Sequence, residues 1–267
     1  MWGNAWLAVL SVVGGALGAG AAVAANATAG PRVALWVAGI TFACGLAPGA
    51  RLPRGGTADI ERSKATDYRA LLSSRLLAGG VAMAASRAAV GFLTFLMAFL
   101  LRGRGEQGRG FAIVIAAAGI GGFAGSLLAP VLRHAMRESV LLLGSLLAVI
   151  GTALWAAGSF GLPQAAVVAG VVGAAAGAGR LAFDSLLQGD APAPVRGRTF
   201  ARYETIFQLC WVAGAGLATA VPFTSSGGMF TLAAIAGSGI ILALRGLLRG
   251  RRASAAVGPR DGGPRVV

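Results

Sequence analysis

An arginine, Arg87, lies inside the apolar run AASRAAVGFLTFLMAFLL at residues 84–101. At the centre of a bilayer a guanidinium costs at least ~2.5–3.5 kcal/mol, so it is rarely there without a use. Two chemistries suit it. It binds an anionic or polar group of a ligand, or it holds backbone carbonyls or a buried carboxylate in a packing or gating role. Arg180 and Asp184 are four residues apart, on one helical face and within pairing reach. They read as a local salt bridge, or as a gate pair that breaks when a cavity opens. Glu204 follows Tyr203 and lies close to Arg196 and Arg198, its expected partners in a loop network or a conformational latch. Gln208, three residues before Trp211, either hydrogen-bonds a ligand or glues helices together in lipid. Ser86, Thr94 and Ser126 admit the same two readings.

Other chemistries lack residues. The single histidine, His134, has only Glu138 near it in sequence, so neither metal ligation nor a nucleophilic triad can be argued. With no Cys/His cluster and no nucleophile motif, the expectation is no enzyme, no cofactor and no metal. The sets Gly119-Gly121-Gly122-Gly125 and Gly170-Gly173-Gly177-Gly179 have no basic P-loop ending and read as small-residue packing faces. Cys44 and Cys210 fall far apart in apolar segments and are expected to be packing residues without a disulfide.

The elements that position these residues follow from composition. Of 267 residues 56% are hydrophobic and 12% charged, about half the charged share of a soluble domain. Mean hydropathy is +0.75. The chain is therefore expected to be an all-α, polytopic integral membrane protein. A crossing helix needs ~20 apolar residues, and eight stretches qualify: roughly 5–28, 32–50, 75–101, 110–132, 138–158, 163–187, 203–222 and 228–248. Residues 1–50 form a two-helix hairpin, 51–74 a linker, 75–248 a six-helix unit, and 249–267 a basic tail expected to be disordered.

A net charge of +14 would suggest nucleic acid on a soluble protein, but here the arginines crowd the ends of apolar runs. Arg51, Arg54, Arg62, Lys64, Arg69, Arg133, Arg137, Arg196, Arg198 and the tail arginines lie on one side. The turns SFGLP (159–163) and PFTSSGG (222–228) on the other carry no charge, whereas Arg102, Arg104 and Arg109 break the pattern. The asymmetry places linker and both termini in the cytoplasm, with lipid rather than nucleic acid as partner.

The run FDSLLQGDAPAPVRGRTFARYETIFQLCWVAGAGLA, residues 183–218, contains Pro192, Arg196, Gly197, Arg198 and Phe200 in a P-x-x-x-R-G-R-x-F pattern. It resembles the loop between the tenth and eleventh helices of major facilitator superfamily transporters. GGFAGSLLAPVLRHAMRES (121–139) looks like the eighth helix and its basic turn, and ALWVAGITFACGLAPGARLP (34–53) like the sixth helix entering the central loop. The eight spans then match helices five to twelve of a twelve-helix member, with the first four absent. The resemblance implies a secondary transporter of the plasma membrane, an exporter of a small organic solute. It implies two three-helix repeats in opposite orientation over 75–248, and a second copy or the missing helices as partner. The alternative is a non-transporting component or an inactive half-transporter. On this alignment the helices with Arg87 and Arg180 line the central cavity. Arg87 and Gln208 are then the substrate-binding candidates, and Arg180, Asp184, Arg198 and Glu204 the gate or latch.

Overall fold

A computed structural model describes residues 14–50 except 16, 19, 22, 23, 26 and 27, together with 74–106, 108–191 and 196–256. Seven helices account for nearly all of these residues: α1 (Pro31–Ala50), α2 (Ser74–Gly103), α3 (Arg109–Ala135), α4 (Glu138–Gly158), α5 (Leu162–Asp190), α6 (Arg196–Ala220) and α7 (Ser225–Ala256). No strand occurs among the described residues. The chain divides into two compact units, Met1–Asp59 with α1 and Ile60–Val267 with α2–α7.

Five helices are long and apolar enough to cross a membrane: α2, α4, α5, Arg109–Leu132 of α3 and Ser225–Arg249 of α7. α1 and α6 stand outside that group. α6 begins at Arg196, seven residues before the expected span, so its first turns hold Arg196, Arg198, Arg202 and Glu204. The expected span 5–28 and the linker 51–74 lie largely outside the described residues. The expected disorder from 249 is corrected in part, because α7 continues to Ala256. Arg and Ala are good helix formers, and extending an existing helix avoids the cost of a nucleus. Residues 257–267 are not described.

Loop chemistry sets the helix ends. Gly161 precedes α5 and Pro163 occupies its first turn, where a missing N–H costs nothing. After α2 the chain turns at Gly105, whose φ of 75° is open chiefly to glycine. That turn returns the amide of Glu106 to the carbonyl of Leu101 at 3.0 Å. Arg104, one of the three charges that break the topology pattern, ties this end together. It donates to the carbonyl of Phe160 (3.1 Å) and to Oγ of Ser225 (3.2 Å), and lies 4.8 Å over the Phe160 ring.

In the second unit, α2 packs on α6 and α7, α5 packs on α3 and α4, α4 meets α7, and α2 meets α5. Exchanging the triplet α2-α3-α4 for α5-α6-α7 maps this set onto itself: α2–α6 exchanges with α3–α5 and α2–α7 with α4–α5, while α4–α7 and α2–α5 are unchanged. Gly79 near the start of α2 faces Leu186 near the end of α5, and Met83 faces Gly179, so α5 runs antiparallel to α2. The exchange therefore relates triplets whose first helices run in opposite directions.

Two of the pairings are glycine seams. A Cβ on Gly121 or Gly125 would fall on the backbone of Gly170 or Ala174, and one on Gly173 or Gly177 on that of Ala118 or Gly122. The counterpart joins α2 to α6, where Gly91 meets the carbonyl of Trp211 and Gly214 that of Ala88. Small residues let helices approach this closely, which is the main gain available where lipid removes the hydrophobic drive. Gly119 and Gly179 leave the expected faces: Gly119 has no neighbour, and Gly179 faces side chains of Leu142 and Met83.

The interior is filled by Phe92, Leu96, Met97, Leu142, Leu146, Val168 and Leu232, all 2% exposed or less. Large apolar side chains also cover the outside, including Ile120, Leu127 and Val131 on α3, Trp155 on α4 and Leu209 and Val212 on α6. An apolar exterior on this scale matches a lipid surround rather than water.

Candidate functional site

An aromatic cluster fixes the rotation of α6. Phe183 of α5 meets Tyr203 and Phe207 of α6 edge-on, with ring centroids 5.1 and 5.0 Å apart. Tyr203 and Phe207 are buried, at i and i+4. Their successors in sequence, Glu204 and Gln208, therefore occupy the adjacent stripe, and on α5 Asp184 follows Phe183 in the same way.

Those polar stripes meet in one network. Arg180 Nε donates to Asp184 Oδ2 at 3.2 Å, and Arg180 Nη1 donates to Glu204 Oε2 at 2.5 Å. The second carboxylate oxygen of Glu204 accepts from Nε2 of Gln208 at 3.0 Å. Phe200 lies under the Arg180 guanidinium, 5.2 Å from ring centroid to Cζ. The ion-paired side chains keep only 27–30% of their exposure, so the pairs are shielded far more than a surface salt bridge.

Arg180 and Asp184 pair as their spacing suggests. The expected bond from Glu204 to Arg196 is not formed: the bonds of Glu204 go to Arg180 and Gln208. Arg196 instead donates from Nε and Nη2 to the carbonyl of Ala191 (3.3 and 3.2 Å), satisfying the negative end of α5. Arg198 is an exposed residue of the first turn of α6.

Arg87 sits near the middle of α2, about 20 Å along the axis from Ser74. Its Nε is shielded from solvent and has no hydrogen-bond partner. A cleft of about 300–1,000 Å³ is the usual size for a small-molecule site, and one of ≈ 600 Å³ opens beside Arg87 between α2, α3 and α5. Both arginines, Arg87 and Arg180, belong to its wall. The remaining wall is apolar or small, with Leu93, Met97, Phe111, Val114 and Ile115 toward the other end. Asp184, Glu204 and Gln208 do not line it. Thr94 and Ser126 do, with their hydroxyls donating to the carbonyls of Val90 (2.7 Å) and Gly122 (2.9 Å) in their own helices.

Sequence reasoning singled out Arg87 and Arg180 separately but not their common wall. It also missed Phe200 as the stacking partner of Arg180. No signal in the sequence joins these positions, since they stand on three helices. Arg87 and Arg180 are carried by α2 and α5, one of the three helix pairs that the exchange swaps. Comparison of the chain with protein families, with curated proteins and with solved structures finds no match.

Proposed function

We propose that this chain is a membrane transport protein of the plasma membrane, with both termini cytoplasmic. Eight membrane helices include a six-helix unit that is one half of a secondary transporter of the major facilitator type. The unit moves a small organic solute, as an exporter. The observation that carries this reading is the exchange of α2-α3-α4 with α5-α6-α7, which maps the helix pairings of the second unit onto themselves. Inverted repeats of this kind place a solute site near the membrane midplane between the repeats. The two arginines of the cleft stand on the exchangeable helices, Arg87 near the middle of α2 and Arg180 past the middle of α5. A second copy, or a partner supplying further helices, would complete the other wall.

Single cysteines at Thr94 and Ser126, in a chain whose Cys44 and Cys210 are replaced by serine, test the reading. The protein is placed in sealed vesicles and treated with membrane-impermeant thiol reagent from either side. Transport requires each position to react from both sides, at a ratio that shifts with a solute gradient. Reaction from one side only, under every condition, refutes transport and leaves a non-transporting component.

A further inference from the structure

Resting on that reading, we infer that the cleft between α2, α3 and α5 takes a small amphiphile: one anionic group held by Arg87, and an apolar body laid along Leu93, Met97, Phe111, Val114 and Ile115. The charge arrangement singles out this class. The cluster of Arg87, Arg180, Asp184 and Glu204 is neutral as a whole, but its charges are segregated. Of the four, only Arg87 and Arg180 line the cleft, whereas Asp184 and Glu204 pair with Arg180 and do not line it. A ligand in the cleft therefore meets positive charge first.

The two arginines differ in availability. Arg180 is held by Asp184, by Glu204 and by the Phe200 ring, which fixes it as part of the wall. Arg87 has a shielded Nε without a partner. Among the described residues no carboxylate is in ion-pair contact with Arg87, so an anion on this wall pairs with a cation that is not already neutralised by contact and makes a charge-assisted bond. A cation gains nothing from this wall and is repelled by both guanidiniums. A neutral apolar molecule fills the far end but leaves Arg87 as it was.

The apolar end sets the second requirement. From Arg87 to Met97 the cleft follows α2 for about 15 Å, and beyond the arginines its polar lining is limited to hydroxyls already bonded to their own helices. A compact polar anion such as inorganic phosphate would leave that length unfilled. An acyl or aryl body with a single sulfonate or carboxylate fills both parts. Such a molecule could reach the cleft from the aqueous phase or from the bilayer as an anionic lipid, and both share the same recognition chemistry.

The test uses the whole chain in nanodiscs of zwitterionic lipid, with empty nanodiscs subtracted. Binding of 1-decanesulfonate is measured by equilibrium dialysis beside decyltrimethylammonium and 1-decanol. Saturable binding of the sulfonate alone is expected, weakened about 10- to 100-fold in Arg87→Gln and largely kept in Arg87→Lys. Val114→Trp, which fills the apolar end without touching a charge, should weaken it as well. Equal binding of the cationic probe, or an unchanged sulfonate affinity in Arg87→Gln, overturns the inference. Adding phosphatidylglycerol to the nanodiscs separates the sources: competition in wild type but not in Arg87→Gln assigns the cleft to lipid, and no competition assigns it to a free solute. Sulfonate binding together with one-sided thiol reactivity in the vesicle experiment would uphold this site while refuting transport.

Discussion

Gly119 and Gly121 are two residues apart on α3, yet a methyl group should act oppositely at the two. At Gly119 a Cβ meets no neighbouring atom. At Gly121 it would coincide with the backbone of Gly170, reaching its carbonyl oxygen, its carbonyl carbon and its Cα. None of these atoms can rotate aside as a side chain would, so the separation of α3 and α5 must widen. Apart from α5, α3 has only slight contact with the rest of the unit, so no other element holds it in place. Replacing glycine by alanine inside a helix gains about 0.8–1 kcal/mol of propensity. That gain is common to both variants and cancels in their difference. What remains is overpacking, typically about 1–3 kcal/mol. Gly121→Ala should therefore be less stable than Gly119→Ala by about 1–3 kcal/mol, with Gly119→Ala at or above wild type. The assay is unfolding of the purified chain in mixed micelles by titration with a denaturing detergent, followed by circular dichroism. Equal stability of the two variants would refute the close backbone seam, and with it the position of α3 along the cleft.

Three further perturbations test the site and its supports. Arg180→Gln leaves Asp184 and Glu204 without their shared cation and should cost about 1–3 kcal/mol, less in a background of Glu204→Gln. A double-mutant cycle in the same unfolding assay should return a coupling of about 0.5–3 kcal/mol, and additivity would deny the ion pair. Arg104→Ala removes two hydrogen bonds and a ring contact at an exposed turn, with an expected loss of about 0.5–1.5 kcal/mol in the same assay; no change would mean that the clasp contributes nothing. Tyr203→Phe deletes a buried hydroxyl that has no partner, so stability should hold or rise by up to about 1 kcal/mol, and a clear fall would expose a missing bond.

What the chain could declare by itself is whatever depends on local composition. Apolar runs of membrane length, a low charged fraction and abundant Ala and Gly predict helices over 75–248 with short turns, because helix hydrogen bonds close within a few residues. The i, i+4 spacing likewise places Arg180 beside Asp184 without any knowledge of the fold. Even the glycine sets could be read as packing faces. Which glycines touch, however, depended on the rotation and crossing point of two helices, and Gly119 and Gly179 fell outside the seam for that reason.

The choice of partner across helices belonged to the tertiary structure alone. Glu204 lies six and eight residues from Arg198 and Arg196, and proximity in sequence favoured them. The Phe183–Tyr203–Phe207 cluster turns α6 so that Glu204 faces Arg180 instead, 24 residues away. Arg87 shows the same division. Its cost in an apolar run is a property of the residue and its neighbours in sequence. Its place on one wall with Arg180, a wall that neither Asp184 nor Glu204 lines, exists only once α2, α3 and α5 are packed. Side-chain charge is fixed by sequence, but the direction from which a ligand meets it is fixed by helix packing.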